Sequence, residues 1–231
     1  VKERRLAMNY SIKVNKLEKE NWSTKAFVSV VFEESFKLTD ITIRETKNGE
    51  TFVAMPGYKT SKKDEQGNPV YKNYFYPTTA EFRKELYDNI IKAYESNAKE
   101  LNITSGKDKV SVSVAIYPCN FNEKIESIGK IYIDKCFVID GVRVIESEKG
   151  SFVAMPTKTT EGKDGKTEYS EVCYPVTKEF REQLYGEIIK KSNEVKEQKK
   201  ICRMSRPQWT VRQSVRSSAL QENIHRKSLF T

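Results

Sequence analysis

The chain has 231 residues, 32% of them charged and 37% hydrophobic, enough for one large domain or two of about 100 residues. No apolar run approaches the roughly 20 residues of a membrane span, and Val1-Lys2-Glu3-Arg4-Arg5 leads into no apolar signal-peptide core, so a cytoplasmic protein without membrane contact is expected. The net charge of +9 is uneven: residues 199–231 hold eight Lys or Arg against Glu222 alone, which leaves 33 basic and 31 acidic residues in a nearly neutral body.

Alternation at Tyr10, Ile12 and Val14, and again from Phe27 to Phe32, predicts two half-buried antiparallel strands. A third is expected over 36–44, turning through Asn48-Gly49, a strong hairpin signal, into Thr51-Phe52-Val53-Ala54-Met55-Pro56. Phe and Val at strand spacing predict that this last strand is core. The proline stops the ladder, and the polar run Lys62-Lys63-Asp64-Glu65-Gln66-Gly67 predicts an exposed loop reaching to Tyr76-Pro77. Tyr58, Tyr71, Tyr74 and Tyr76 around it read as core and rim packing rather than as base-stacking groups. Phe82, Leu86, Ile90 and Tyr94 recur at helical spacing, with Thr78-Thr79-Ala80-Glu81 as a capping box. Residues 97–109 read as a linker.

The same order then repeats. Val110, Val112, Val114 and Ile116 alternate, Ile128 to Ile133 follow, and a third strand is expected over 137–145. Ser151-Phe152-Val153-Ala154-Met155-Pro156 stands 100 positions after its first counterpart. A second polar run, Glu161-Gly162-Lys163-Asp164-Gly165-Lys166, precedes Tyr174-Pro175 and a helix on Phe180, Leu184 and Ile188 with Thr177 as its cap. So many ordered matches define an internal repeat. The expected architecture is α+β: two tandem copies, at 8–97 and 108–197, of an antiparallel meander closed by one amphipathic helix, followed by a basic tail at 198–231 that is expected to be flexible.

Phe52–Pro56 and Phe152–Pro156, a polar loop with Gly67 or Asp164-Gly165 at its turn, and a helix opening with Arg83 or Arg181 make each copy similar to the stage V sporulation protein G (septation regulator) family. The resemblance implies a small protein that dimerises through its sheets and binds DNA or RNA to modulate division or sporulation genes. Its tandem form implies an intramolecular pseudo-dimer, hence a monomeric chain of 26.8 kDa. The candidate phosphate contacts implied are Lys59, Lys62, Lys63, Lys72 and Arg83 in copy one and Lys158, Lys163, Lys166 and Arg181 in copy two. Where the family has two adjacent basic residues after the proline, each copy keeps one, and the family's histidine before the last proline is Tyr76 or Tyr174. Copy two, with Glu161 and Glu171 beside its lysines, is expected to bind phosphate more weakly than copy one. Arg83 and Arg181 sit in first helical turns, where the dipole disfavours a cation, so both call for a compensating partner.

Catalysis is not expected. His225 is the only histidine, the four cysteines Cys119, Cys136, Cys173 and Cys202 form no pair with metal-ligand spacing, and the paired carboxylates lie in exposed segments. No cofactor and no metal is called for. Two readings stand: a regulatory nucleic-acid binder of low sequence discrimination, or a protein-interaction module of the division apparatus or a mobile element.

Overall fold

The structure is a computed structural model that describes residues 8–18, 22–33, 35–104, 111–119, 122, 124–161 and 164–204, the last six by backbone alone. Val110, Lys163 and the tail from 205 onward lie outside the described residues. Both copies fall in one compact unit reaching to Asn193, and residues from 194 onward form a second unit whose described part is the end of the last helix.

In copy one, β1 (Tyr10–Lys16), β2 (Thr24–Phe32), β3 (Phe36–Glu45) and β4 (Thr51–Ala54) form an antiparallel meander. Side chains alternate across a strand, so Ile12 and Val14 of β1 and Ala26, Val28, Val30 and Phe32 of β2 line one buried face. After the meander come β5 (Gly57–Lys63), β6 (Pro69–Asn73), the three-residue β7 (Phe75–Pro77) and α1 (Ala80–Glu95). The polar segment expected to be a loop is in fact a β-hairpin, β5 paired with β6, closed by Tyr74 N–H donating to Pro56 O at 3.0 Å. Its strands are solvated on both faces, so no apolar alternation marks them.

The segment read as a linker carries β8 (Glu100–Ile103), which pairs antiparallel with β1. Copy two repeats the meander as β9 (Val112–Pro118), β10 (Ile125–Ile133), β11 (Phe137–Ile145) and β12 (Phe152–Ala154). Then follow the hairpin of β13 (Thr157–Glu161) and β14 (Thr167–Glu171), β15 (Cys173–Pro175) and α2 (Lys178–Met204). The α2 helix thus extends seven residues into the segment expected to be a flexible tail. Helix starts follow the sequence closely: Thr79 Oγ1 accepts from Phe82 N–H at 3.3 Å and Thr177 Oγ1 from Phe180 N–H at 3.4 Å. Thr78, the residue expected to open the capping box, instead reaches copy two through Cys136 O (2.7 Å) and Lys135 O (3.1 Å).

The copies are joined by reciprocal exchange. β7 of copy one pairs with β11 of copy two, and β15 of copy two pairs with β3 of copy one. One edge of β3 is divided: residues 36–38 take β15 and residues 42–45 take β4. A bulge separates the two stretches, with Asp40 at φ 60° and, at the matching point of β11, Gly141 at φ 83°. At each bulge a backbone N–H holds the incoming chain: Thr39 donates to Val172 O and Asp140 to Tyr74 O, both at 2.8 Å. This is the pseudo-dimer expected from the repeat, built by strand exchange.

The core is accordingly shared. Phe137 of copy two lies 5.2 Å from Phe32, 5.9 Å from Phe75 and 6.4 Å from Phe82, ring centre to ring centre, all three belonging to copy one. Phe36 of copy one stands edge-on to Phe180 at 6.3 Å. Tyr10 anchors α1 to β1, its hydroxyl donating to Glu85 (3.2 Å) and accepting from Asn89 (2.9 Å), and burial pushes that hydroxyl's pKa well above the usual tyrosine value.

Copy two is packed tightly enough at one point to demand glycine. A Cβ on Gly129 of β10 would stand 2.4 Å from Ile116 Cδ1 and 2.7 Å from the backbone oxygen of Ala115. Gly129→Ala is therefore expected to destabilise the fold by about 1–3 kcal/mol, read as a lowered melting temperature. An unchanged midpoint would show that β9 and β10 can part at no cost.

Candidate nucleic-acid interface

Because β7 docks on the other copy while β4 stays with its own, each hairpin is rooted where the two copies meet. Tyr58, at the base of hairpin one, packs on Tyr74 with ring centres 4.9 Å apart, and burial together with the nearby Asp140 carboxylate raises its hydroxyl pKa. The packing expected for these two tyrosines is present. Tyr71 is different: it is 65% exposed and pairs across the hairpin with Lys59. Tyr169 holds the matching place in hairpin two and is 71% exposed.

Hairpin one brings Lys59, Lys62, Lys63 and Lys72 onto one projecting ribbon, all exposed. Among the described residues none of the four takes part in an ion pair. At its tip the Asp64 carboxylate accepts from Asn68 N–H (2.7 Å), Gln66 N–H (3.0 Å) and Asn68 Nδ2 (3.3 Å), and these bonds, that from the Asn68 backbone foremost, lower its pKa. The acidic residue nearest the lysines is thus engaged in holding the turn, where Gly67 adopts φ 84°.

Hairpin two differs in kind. Over residues 157–171 it has three lysines and four acids, Glu161, Asp164, Glu168 and Glu171, against four lysines and two acids over 57–73. Lys158 is half-buried and bridges to Asp40 of copy one at 3.6 Å, so it serves the contact between the copies. Its counterpart in copy one is Tyr58, which has no charge to pair. Lys166 is exposed, and Lys163 lies outside the described residues.

Arg83 and Arg181 are exposed, and each finds a partner in its own copy. Each Nη2 donates to the carbonyl of the proline that ends the exchanged strand of its own copy, Arg83 to Pro77 (3.5 Å) and Arg181 to Pro175 (3.3 Å). The unfavourable dipole requires a partner, and a carbonyl at the strand end supplies it. Among the described candidates, the four lysines of hairpin one, Lys166, Arg83 and Arg181 are exposed, the two arginines each also bonded to a carbonyl of their own copy, and Lys158 alone is half-buried in a contact between the copies.

The core reading of the Phe-Val-Ala-Met strands needs correction at its first residue. Val53, Val153 and Met155 are buried, but Phe52 and Phe152 are 44% and 47% exposed. Strand alternation sends each Phe to the outer face of its sheet, where Phe52 stands across from Arg44 and Phe152 from Ile145. Asp40 makes a contact between the copies that no local signal marks, because its partner lies 118 residues away.

Cys136 and Cys173 are buried, and burial pushes the Cys173 thiol up. Among the described residues no group of three His, Cys, Asp or Glu is placed to hold a metal ion, and no helix is long and apolar enough to cross a membrane.

Comparison with known proteins agrees with this architecture. The SpoVG family model matches twice, at residues 8–96 and 110–194. The chain is 35% identical over 83 residues to a septation protein SpoVG of Phytoplasma australiense, covering 36% of this chain and 81% of the relative. It is 34% identical over 77 residues to that of Heliobacterium modesticaldum (33% and 81%) and 34% over 74 residues to that of Staphylococcus aureus (32% and 70%). Each relative spans about one copy. With both halves matched, strand order repeated and each copy completing the other's sheet, the chain belongs to the SpoVG family, as a tandem, septation- and sporulation-related member.

Proposed function

We propose that the chain is a non-catalytic regulatory protein that binds the phosphate backbone of DNA or RNA, with hairpin one as the principal contact. The observation that carries this reading is the set Lys59, Lys62, Lys63 and Lys72, four exposed cations on a projecting ribbon beside the exposed ring of Tyr71. Lysines supply sequence-independent attraction to phosphate, and an exposed ring offers a surface on which a base stacks. Hairpin two, with more acids than lysines, contributes less. The pseudo-dimer is monomeric in solution by this reading, since the surface for exchange is filled within one chain.

The test is a salt series of mobility shifts with the full chain. Changing Lys59, Lys62, Lys63 and Lys72 together to Gln is expected to weaken binding to unrelated sequences alike. It is also expected to flatten the plot of log affinity against log salt by about 0.7–0.9 for every phosphate that is no longer neutralised. Lys166→Gln is expected to change the slope by about one unit at most. An unaltered slope in the fourfold variant removes hairpin one from the interface. A chain that shows no salt-dependent binding favours the second reading, a protein-interaction module.

A further inference from the structure

The two copies differ at one sheet edge. In copy one the outer edge of β1 is covered by β8, with Tyr10 opposite Ile103, Ile12 opposite Leu101 and Val14 N–H donating to Lys99 O at 3.3 Å. In copy two the equivalent edge is that of β9, where Val112, Val114 and Ile116 correspond to Tyr10, Ile12 and Val14. Among the described residues no strand pairs with it, because the chain that turns into β8 after α1 continues as helix after α2. Burial differs at the end of the strand only: Tyr10 is 3% exposed and Val112 partly buried, whereas Val14 and Ile116 are both 8% exposed.

We infer that the outer edge of β9 is a docking site for an extended segment of a partner protein, added antiparallel with apolar residues at alternate positions. The molecule supplies the template for that occupant in Glu100-Leu101-Asn102-Ile103, which fills the same place on β1. β9 itself reads Val112-Ser113-Val114-Ala115-Ile116-Tyr117-Pro118 and bears no charge, while β1 bears Lys13 and Lys16. An uncharged edge of β-branched residues is a ready template for strand addition.

The edge has one guard. Lys191 of α2 donates from Nζ to Val114 O at 2.9 Å, where the copy-one helix has the buried Ala93. The position of Val114 matches that of Ile12, so Lys191 occupies the acceptor that an incoming strand needs. Lys191 is also what favours a partner over a second copy of this chain. Pairing β9 with β9 about a twofold axis centred on Val114 brings two Lys191 ammonium groups to one spot, whereas a partner strand with an acidic residue pairs with the displaced lysine as Glu100 pairs with Lys13 at 3.5 Å.

Amide hydrogen exchange on the full chain, with a synthetic peptide of residues 98–104 as probe, tests this. In the free chain the Val114 and Ile116 amides are expected to exchange much faster than those of Ile12 and Val14. The peptide is expected to bind saturably and to slow both. Val114→Pro and Ile116→Pro each remove one outward N–H without touching the ladder to β10. Both side chains are buried, so each is compared with Val114→Ala or Ile116→Ala, which also truncates the side chain but keeps the N–H, and each proline is expected to weaken the peptide about tenfold relative to its alanine. Protection of Val114 and Ile116 already in the free chain overturns the inference, assigning the edge to a second copy if it grows with protein concentration and to the chain's own residues if it does not. Absence of peptide binding, or binding indifferent to both prolines, overturns it as well.

Discussion

Copy one produced alone, as residues 8–104, is expected to be a dimer that exchanges β7 reciprocally between two chains. In the tandem protein Phe75 of β7 is fully buried against copy two, and the ladder of β7 runs to β11 rather than to its own β3. A separate copy retains that strand and has only the 36–38 stretch of another copy's β3 to receive it, where Phe36 takes the place that Phe137 has here. Burying one such ring contributes about 1.5–3 kcal/mol, so a monomer with β7 undocked forgoes a large part of a small domain's stability. Sedimentation should show a dimer at micromolar concentration, and dilution should lower its melting temperature, as it must for any fold completed by association. A stable folded monomer would mean that β7 closes onto its own β3 once the second copy is absent.

Phe137→Ala is the point change expected to cost most. The ring is fully buried among Phe32, Phe75 and Phe82, and truncating a buried Phe costs about 3–5 kcal/mol when the site cannot collapse. For a unit of this size that corresponds to a melting temperature lower by roughly 6–20 °C. The form of the transition matters as much as its position. Because the ring belongs to copy two and its neighbours to copy one, both copies should unfold together in a single, displaced calorimetric transition. Two transitions, with only the later half of the chain affected, would contradict the shared core.

The repeat, the meanders and both helices are legible in the sequence because each rests on a local signal: a fixed offset between matching segments, a period of two, or a period near four with a threonine cap. Exchange leaves no such signal. Phe75-Tyr76-Pro77 is three residues long, and alternation says which face of a strand is apolar but not which sheet receives it. The hairpins read as loops because a ribbon wet on both sides has no apolar face, and Thr60 and Lys62 look alike whether paired or not. Phe52 misleads for a related reason, since a phenylalanine in a strand is core only if the register turns it inward. Arg83 and Arg181 are half legible: the helix dipole announces that each needs a partner, and only the fold shows that Pro77 and Pro175 provide it. The lysines of hairpin one are exposed, the one property that a run of lysines predicts well.

The single Lys158–Asp40 bridge shows what fusing the copies makes possible. In a protein assembled from two identical chains, any substitution at the dyad is made on both sides of it and must suit both. Here the position of Lys158 is Tyr58 on the other side, and that of Asp40 is Gly141, so one side of the junction has an ion pair between the copies and the other, lacking both charges, has Tyr58 packed on Tyr74 of its own copy. The axis is thereby broken, and the molecule acquires a front and a back. One hairpin has more lysines than acids and the other more acids than lysines, so the two differ in the sign of their charge. Polarity of this kind is open to a fused pair and closed to a symmetric one.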